Sequence, residues 1–180
     1  AYVGALGAAL GTMVANLSAH KRGWDDRWEE FSAWAVKGEA YRRELIRLVD
    51  EDTRSFDRIL AAFQLPKGTE EEQRLRKEAI TTATKGAIEV PLHTMRVCVE
   101  SMEVMQAMAE IGLPASVSDA GVGALCARTG ALAAYMNVRI NCAGLDDEAF
   151  KKKALEEAEA LRTKVTHLED EVMRVTLEKV

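Results

Sequence analysis

The sequence predicts an all-α protein, a bundle of about five long antiparallel helices. Three observations predict this fold class. No stretch alternates apolar and polar residues as a half-buried strand does, whereas apolar residues recur at steps of three and four, the period of one helix face. Start and stop signals divide the 180 residues into helical stretches. The length is typical of one domain with its own core, so we expect a single helical domain over residues 1–180.

The first two helical stretches are separated by the turn HKRGW at residues 20–24. The first stretch covers about residues 1–19. The second covers about 25–64, with Gly38 as a candidate break because glycine weakens a helix interior. The segment LPKG at 65–68 ends it, since proline and glycine punctuate helices.

The third stretch, about residues 70–111, carries signals at both of its ends. Thr69 and Glu72 have the spacing of a capping box at the start. Pro91 lies inside the stretch, and proline removes one backbone hydrogen bond and clashes with the preceding turn. We therefore expect either a kink or two helices there. The segment GLP at 112–114 closes the stretch.

The last two stretches complete the bundle. The fourth covers about residues 117–142, and Ser116 followed by Asp119 has the spacing of another cap. The fifth begins near Asp146 and runs almost to the C-terminus. Its apolar seam again has steps of three and four, which predicts long antiparallel packing. The seam residues are Ala154, Ala158, Leu161, Val165, Leu168, Val172 and Val175.

Glycine marks the first and fourth stretches, which are apolar on nearly all sides. A glycine inside a helix costs about 1 kcal/mol relative to alanine, so these positions indicate close backbone approach or room for a ligand. One small bundle can hardly bury both helices, and we expect self-association, most simply as a two-fold homodimer. The first stretch is barely long enough to span a bilayer and lacks the charged n-region of a signal peptide, which favours a buried helix over a membrane segment. The glycines are Gly4, Gly7, Gly11, Gly121, Gly123 and Gly130.

Composition and charge exclude several classes of function. Hydrophobic residues make up 48% and charged residues 29%, an ordinary globular mixture, and the formal net charge is −5. No basic stripe with interleaved aromatic residues occurs, so we expect no nucleic-acid partner. The cysteines and histidines lack metal-ligand spacing, which predicts reduced thiols in a cytoplasmic protein, with neither a metal nor a cofactor. These residues are Cys98, Cys126, Cys142, His20, His93 and His167.

Asp52 stands out among the charged residues. It completes an apolar stripe of the second stretch, and no cation lies three or four positions away. The period is that of a buried helix face, where loss of water disfavours the carboxylate anion and raises its pKa, so we expect an acid that can hold and release a proton near neutral pH. The alternative is a structural role as a cap or as a bond to a neighbouring helix. The other stripe residues are Leu45, Leu48, Phe56, Ile59 and Phe63.

Asp50 and Asp57 provide the contrast to Asp52. They share a face with Arg43, Arg47 and Arg54, and such exposed charge pairs contribute only tenths of a kcal/mol. We expect both aspartates to be solvated surface residues.

Two amides interrupt the apolar fourth stretch. Asn137 and Asn141 are four residues apart and therefore share a helix face. A buried amide needs hydrogen-bond partners. These two residues either join helices or face a polar ligand in a cleft between helices or subunits.

Seven short motifs follow one another along essentially the whole chain. In this order and spacing they resemble the formiminotetrahydrofolate cyclodeaminase / methenyltetrahydrofolate cyclohydrolase family. No single motif is specific, and the resemblance lies in all seven occurring in register. The motifs are GALGAALGTMV at 4–14, VDEDTRSF at 49–56, LPKGTEEE at 65–72, VPL at 90–92, SVSDAGVGAL at 116–125, NVRIN at 137–141 and GLDDEAF at 144–150.

The resemblance implies an all-helical, dimer-forming enzyme of one-carbon folate chemistry. In such enzymes the second Asp of a V-D-x-D motif is the proposed general acid/base, which is Asp52 here. A basic pair after the first helix suits by charge the glutamate carboxylates of a polyglutamylated folate. The substrate-binding residues that the resemblance implies are Lys21, Arg22, Ser118, Asp119, Asn137 and Asn141.

The resemblance leaves two folate activities open. A cyclodeaminase converts 5-formiminotetrahydrofolate to 5,10-methenyltetrahydrofolate and ammonia. A methenyltetrahydrofolate cyclohydrolase adds water at the same carbon and gives 10-formyltetrahydrofolate. No residue separates the two. An alternative of another class is a non-catalytic helical oligomerisation module in which Asp52 is structural.

The resemblance has one departure, at the start of the chain. The family usually carries a glycine- and serine-rich loop just before its first helix, whereas this sequence starts at Ala1, inside or just after that point. We expect the loop to be absent, and folate to bind weakly if the loop helps to close the site. The chain is compatible with a free-standing enzyme or with the C-terminal part of a bifunctional protein in which a formiminotransferase precedes it.

Overall fold

The computed structural model describes all 180 residues and contains five α-helices and no strand, which confirms the all-α prediction. Short 3₁₀ turns at Asp25–Arg27 and Pro114–Ser116 lead into the second and fourth helices. The helices are α1 Tyr2–Ala19, α2 Trp28–Gln64, α3 Glu70–Ile111, α4 Val117–Ala143 and α5 Glu148–Leu177.

The capping box predicted at the start of α3 is confirmed. The Thr69 hydroxyl accepts a hydrogen bond from the Glu72 backbone N–H at 3.2 Å, and the Glu72 carboxylate accepts from the Thr69 N–H at 2.9 Å. Pro91 lies within a single helix, so the expectation of two helices is wrong. Helix α2 likewise continues through Gly38, where a Cβ atom would lie 2.3 Å from Thr12 Oγ1 of α1. That glycine allows a close helix crossing rather than a break.

The cap predicted at the start of α4 is wrong. Ser116 occupies the N-cap position, but its side chain makes no capping hydrogen bond, because a 3₁₀ turn leads directly into the helix. The start of α5 does have a side-chain cap. Asp147 accepts a hydrogen bond from the Phe150 N–H at 3.0 Å and also receives Lys85 Nζ at 2.6 Å.

Helix α1 packs between α2 and α4, and α3 lies beneath all three. Glycines bring α1 close to α4: a Cβ on Gly7 would lie 2.5 Å from the Gly123 carbonyl oxygen, and one on Gly130 would lie 2.9 Å from the Gly4 nitrogen. Helix α1 is long and apolar enough to span a membrane by length and composition, with a mean hydropathy of 1.3 over 18 residues. Its glycine and alanine side is nevertheless buried in the bundle, as in a core helix.

The core occupies the middle of the bundle. A large cluster joins all five helices, with α3 contributing through its second half, and a smaller cluster joins α3, α4 and the start of α5. The seam predicted for α5 is confirmed, because all seven of its residues are buried or half-buried. The seam packs against α3 and α4.

The helices differ greatly in length, and this difference shapes the site. Helix α1 has 18 residues, whereas α2 has 37 and α3 has 42. Gly4, near the start of α1, packs against Leu45 of α2. Beyond this level, α2 49–64 and α3 70–86 continue as an antiparallel pair, which we call the arm. Its only fully buried residues are Ser55 and Ala62.

A second consequence of the packing is an apolar surface on the outside of α1 and α4. The two helices lie side by side, and each turns one row of large apolar side chains to solvent. Exposure reaches 70% at Tyr2 of α1 and 71% at Ile140 of α4. The members of this α1/α4 face are Tyr2, Val3, Leu6, Met13, Leu17, Val122, Leu125, Met136 and Ile140.

Candidate active site

The candidate active site is an open groove between α2 and α4, at the level where α1 is absent. Helices α2 and α4 make almost no direct contact, because α1 separates them lower in the bundle. Helix α1, which separates α2 from α4, begins at Tyr2, and α3 packs against both α2 and α4 and forms the floor. A gap of one helix between two others is about 10 Å wide, the diameter of a helix with its side chains.

Asp52 lies on the α2 wall of this groove. It follows Leu45 by seven residues, two helical turns, and so projects from the side of α2 that contacts α1. The prediction that Asp52 shares the apolar stripe is confirmed by this position, but the prediction that it is buried in the chain is wrong. Asp52 is exposed, and Phe56 and Phe63 on the same stripe are 59% and 52% exposed.

Asn137 and Asn141 lie on the α4 wall, opposite Asp52. They follow Gly130 by seven and eleven residues and therefore lie on the side of α4 that contacts α1 lower down. Asn137 is exposed and makes no hydrogen bond within the chain. Asn141 is half-buried, and its Nδ2 donates to the Ala87 carbonyl of α3 at 2.8 Å. Of the two roles considered for these amides, Asn141 fulfils the helix-joining role, and its amide oxygen stays free.

The three side chains lie at the same height in the bundle. Glu44 of α2 is hydrogen-bonded to His93 of α3 at 2.7 Å, and the two helices are antiparallel, so Asp52 is level with about residue 85. Asn141 is level with Ala87, which it contacts. The floor at this height is the α3 segment 85–91, which ends at Pro91 and includes Gly86, beside which a Cβ would meet no atom within 4 Å. The groove therefore has a carboxylate on one wall and two amides on the other.

Lys21, Arg22, Ser118 and Asp119 lie at the other end of the bundle. Lys21 and Arg22 are exposed in the α1–α2 turn, and Ser118 and Asp119 begin α4. Twenty-three residues of helix separate Ser118 from Asn141, which is about 35 Å at 1.5 Å per residue. A single chain therefore does not bring these four residues to Asp52.

Ion pairs surround the groove without entering it. The Glu44 carboxylate accepts from Arg47 at 2.7 Å and contacts His93, and the Arg47 hydrogen bond lowers the pKa of Glu44 to about 2. On the arm, Glu51 pairs with Arg58 at 2.7 Å, and the pKa of Glu51 is lowered mainly by that bond. The expectation that Asp50 and Asp57 are surface residues is confirmed. Glutamates rather than these aspartates hold the neighbouring arginines.

No three His, Cys, Asp or Glu side chains are grouped so as to hold a metal ion. All three cysteines are free thiols, and burial raises the pKa of the Cys98 thiol to about 12. The chemistry available in the groove is therefore that of a carboxyl group, amides and the backbone.

Sequence reasoning did not recognise Pro91 as a residue of the site. The sequence did contain a signal. Proline has no N–H to donate to the carbonyl four positions earlier in a helix, and for Pro91 that carbonyl belongs to Ala87. A polar partner for that carbonyl could have been sought among the amides of α4.

Comparison with known proteins supplies relatives for this architecture. The family model for formiminotransferase-cyclodeaminase matches residues 1–160. Methenyltetrahydrofolate cyclohydrolase of Methylorubrum extorquens is 37% identical over 177 residues, which are 98% of this chain and 85% of that protein. Formimidoyltransferase-cyclodeaminase of Rattus norvegicus is 35% identical over 153 residues, which are 85% of this chain and 28% of that protein. The chain thus aligns with less than a third of this animal relative's length.

A solved structure extends the likeness to three dimensions. The crystal structure of formiminotetrahydrofolate cyclodeaminase from Thermotoga maritima superposes with a TM-score of 0.84 at 27% identity. The match covers 98% of this chain and 84% of that chain. Both the sequence and the five-helix architecture are therefore similar to proteins named for folate chemistry.

Proposed function

This chain belongs to the formiminotransferase-cyclodeaminase family, and from that premise we propose that it is a cyclodeaminase acting on 5-formiminotetrahydrofolate. The product is 5,10-methenyltetrahydrofolate, and ammonia leaves. The observation that carries the proposal is the open groove, which places Asp52 opposite Asn137 and Asn141 in a space of helix width. A pteridine ring is flat and fits a slot about 10 Å wide.

Asp52 serves as the general acid/base of the ring closure. N10 of the substrate attacks the formimino carbon, and a new C–N10 bond forms. The formimino group enters as its protonated amidinium. The Asp52 carboxylate takes the proton that N10 loses and gives it to the resulting amine nitrogen, whose bond to carbon then breaks as ammonia departs and leaves the methenyl cation. One carboxyl group that moves a proton in both directions typically contributes about 10²–10⁴ in rate. Holding N5 and N10 in ring-closing geometry contributes further. No cofactor is needed for this chemistry.

A second candidate is methenyltetrahydrofolate cyclohydrolase. The observation that favours it is the 37% identity to the Methylorubrum extorquens enzyme, which extends over 98% of this chain. In this reaction Asp52 takes a proton from a water molecule that adds to the methenyl carbon. It then gives that proton to N5 as the C–N5 bond breaks, and the hydroxyl proton leaves to solvent as the formyl C=O forms. The same groove and the same carboxyl group serve both reactions.

The site is completed by a second copy of the chain. Ser118 lies about 35 Å from Asn141 along α4, farther than a folate with a short glutamate tail reaches, and Lys21 and Arg22 lie in the α1–α2 turn at the same end of the bundle as Ser118 and Asp119. Only a partner can bring them to Asp52. A partner that covers the groove also removes water from the Asp52 carboxyl, which is the condition for proton exchange near neutral pH.

The α1/α4 face has the composition and position for this contact. Its row of large side chains is apolar and lies beside the groove. Two copies that pack through this face about a two-fold axis run their α4 helices antiparallel. Thr129 is exposed midway between Ser118 and Ile140, so an axis near Thr129 places Ser118 and Asp119 of one copy at the groove end of the other. The basic pair of the partner then meets the glutamate carboxylates of a polyglutamylated folate.

A paired assay on the purified chain tests the activity. One arm follows ammonia released from 5-formiminotetrahydrofolate, and the other follows loss of methenyltetrahydrofolate absorbance above the spontaneous rate. Ammonia release establishes the cyclodeaminase. Methenyl loss alone establishes the cyclohydrolase. No activity and no folate binding in either arm contradict both and favour a non-catalytic oligomerisation module.

Complementation tests the shared site. Asp52→Asn and a Lys21→Ala/Arg22→Ala double variant each damage the site through a different residue set. In a site made by two chains, a heterodimer of these variants holds one undamaged site, so a random mixture recovers about one quarter of wild-type activity. Activity that stays at the sum of the two separate variants contradicts the shared site. Light scattering on each variant checks that both remain dimers.

The wider setting follows from the same proposal. The chain works in the cytoplasm, without a nucleic-acid or membrane partner. The animal relatives are named as formimidoyltransferase-cyclodeaminases, so a fused or associated formiminotransferase is a natural source of the 5-formimino substrate. A free-standing enzyme is the alternative, consistent with the 85% coverage of the Methylorubrum extorquens protein.

A further inference from the structure

We propose that Pro91 is a positioning residue for the folate site, and that it acts through Asn141. Pro91 withholds a backbone N–H inside α3, the Ala87 carbonyl is thereby left for Asn141, and the Asn141 amide oxygen is turned towards the open groove. This inference rests on the proposed function, because the groove is taken as the folate site.

The first step is the missing donor. In an α-helix the N–H of residue i donates to the carbonyl of residue i−4, and proline has no N–H. The Ala87 carbonyl in α3 therefore has no partner from Pro91. Ala87 is buried, and a buried carbonyl without a hydrogen bond is costly.

The second step is the replacement. Asn141 of α4, 54 residues away in sequence, donates its Nδ2 to the Ala87 carbonyl at 2.8 Å. The bond lies at the height of Asp52, on the floor of the groove. The motifs VPL and NVRIN are thus joined by one hydrogen bond. The proline of the first leaves the Ala87 carbonyl without its helical donor, and the last asparagine of the second donates to that carbonyl.

The third step concerns the orientation of the amide. A carbonyl oxygen only accepts, so the nitrogen of Asn141 must face Ala87 and the oxygen must face away. That oxygen accepts from no group of the chain and is not a buried unpaired atom, so it is open to solvent. Without the bond to Ala87 the amide could rotate and present either end.

A fixed oxygen on this wall selects a donor. It accepts an N–H of the substrate, and reduced folates offer several, on the pteridine ring and at N10. The Asn141 amide, held by Ala87, therefore acts towards the substrate only as a hydrogen-bond acceptor and binds it in one orientation relative to Asp52. Fixing the group before the substrate arrives lowers the cost of ordering on binding.

The test is Pro91→Ala, which restores an N–H to the helix. Alanine is far better tolerated than proline in a helix interior, so the melting temperature stays the same or rises. The KM for the folate substrate rises about 10-fold, the equivalent of one hydrogen bond, and kcat changes less than 3-fold. A merely structural Pro91 predicts higher stability with an unchanged KM, and that result overturns the proposal.

A double-mutant cycle separates the direct from the indirect effect. Asn141→Ala raises KM about 10-fold in the wild-type chain but no more than about 2-fold in the Pro91→Ala chain, because the amide is already free to rotate there. Equal effects in both backgrounds contradict the coupling. Asn16→Ala is the matched control, since Asn16 Nδ2 also donates to a backbone carbonyl, that of Thr12 at 3.1 Å, and lies away from the groove.

Binding of tetrahydrofolate, measured by calorimetry, distinguishes failure of this inference from failure of the proposed function. Wild-type chain that binds tetrahydrofolate while Pro91→Ala binds it equally well overturns the positioning role alone. Wild-type chain that binds no folate overturns the proposed function and this inference with it. Weaker binding by Pro91→Ala, with a melting temperature at least as high as that of the wild type, supports both.

Discussion

The lower and upper halves of α2 differ in what lies against the same stripe of residues. In the lower half, Phe31 and Leu45 pack into the core, with α1 across them. In the upper half, Asp52, Phe56 and Phe63 continue the stripe, but no helix packs across them and all three are exposed. The local sequence is helical and amphipathic in both halves. The neighbour, and not the helix itself, decides which half becomes core and which becomes a site.

The largest expected effect is a loss of catalytic turnover when Asp52, in the upper half, is replaced. Asp52→Asn keeps the shape of the side chain but cannot exchange the proton, so turnover falls by about 10²–10⁴ while the fold stays intact. Initial rates and circular dichroism measure the two properties. Asp50→Asn is the matched control, an exposed aspartate two residues away, and should keep full activity. Full activity in Asp52→Asn contradicts the acid/base role.

The next prediction compares one aromatic residue from each half. Phe31 is fully buried, and Phe31→Ala should lower the free energy of unfolding by about 3–5 kcal/mol. Phe56 is 59% exposed, and Phe56→Ala should change it by less than about 0.5 kcal/mol in the monomeric chain. Urea unfolding at low protein concentration measures both. A large loss in Phe56→Ala would mean that another element covers the groove in solution.

A pair of glycines sharpens the comparison further. An added Cβ at Gly7, in the lower half, would lie 2.5 Å from the Gly123 carbonyl oxygen, so Gly7→Ala should destabilise by about 1–3 kcal/mol. At Gly86, on the groove floor, an added Cβ meets nothing within 4 Å, so Gly86→Ala should stabilise by up to about 1 kcal/mol. The two urea midpoints should move in opposite directions. Shifts of the same sign would show that α1 does not pack on α4 as described.

The smallest expected effect is a pH dependence in the lower half. The pKa of Glu44 is lowered from 4.5 to about 2, chiefly by its hydrogen bond to Arg47. A depressed carboxyl pKa stabilises the fold above the unfolded value and loses that contribution as the pH falls from about 4.5 towards 2. The melting temperature of Glu44→Gln should therefore fall less than that of the wild type between pH 6 and about 2.5. Glu156→Gln, which removes an exposed carboxylate 3.9 Å from Lys152, should behave like the wild type.

The helices could be predicted from sequence where their end signals are local. Both ends of α3 were predicted correctly, because a capping box and a glycine-proline segment mark them chemically. The cap at Ser116 was predicted from the same kind of spacing and is wrong, since a 3₁₀ turn occupies the place where the cap would form. The four residues of such a motif do not determine the backbone conformation of the segment that precedes them.

The site could be predicted only in part, for a reason that lies in tertiary structure. The face of α2 that carries Asp52 follows from helical period alone. Its exposure depends on how α1 packs along α2. That packing is fixed by tertiary contacts such as the one between Gly4 and Leu45, which lie far apart in sequence. The Asn141–Ala87 bond spans 54 residues. Pro91 indicates from sequence that the Ala87 carbonyl lacks its helical donor, but only the tertiary packing shows which amide donates to it. The roles proposed for the site residues stay predictions.

The arm should unfold locally at a lower free energy than the rest of the bundle. Residues 49–64 and 70–86 have few buried side chains, and Lys77 and Lys85 tie the lower end of the pair to Asp146 and Asp147, whereas the lower bundle is packed on several sides. Segments of this kind exchange amide hydrogens through partial unfolding at lower free energy than the core does. Asp52 lies at the start of the arm, next to the tightly packed lower bundle. Small excursions of the arm can therefore change the distance from Asp52 to α4 while the core stays folded, and product can leave without global unfolding.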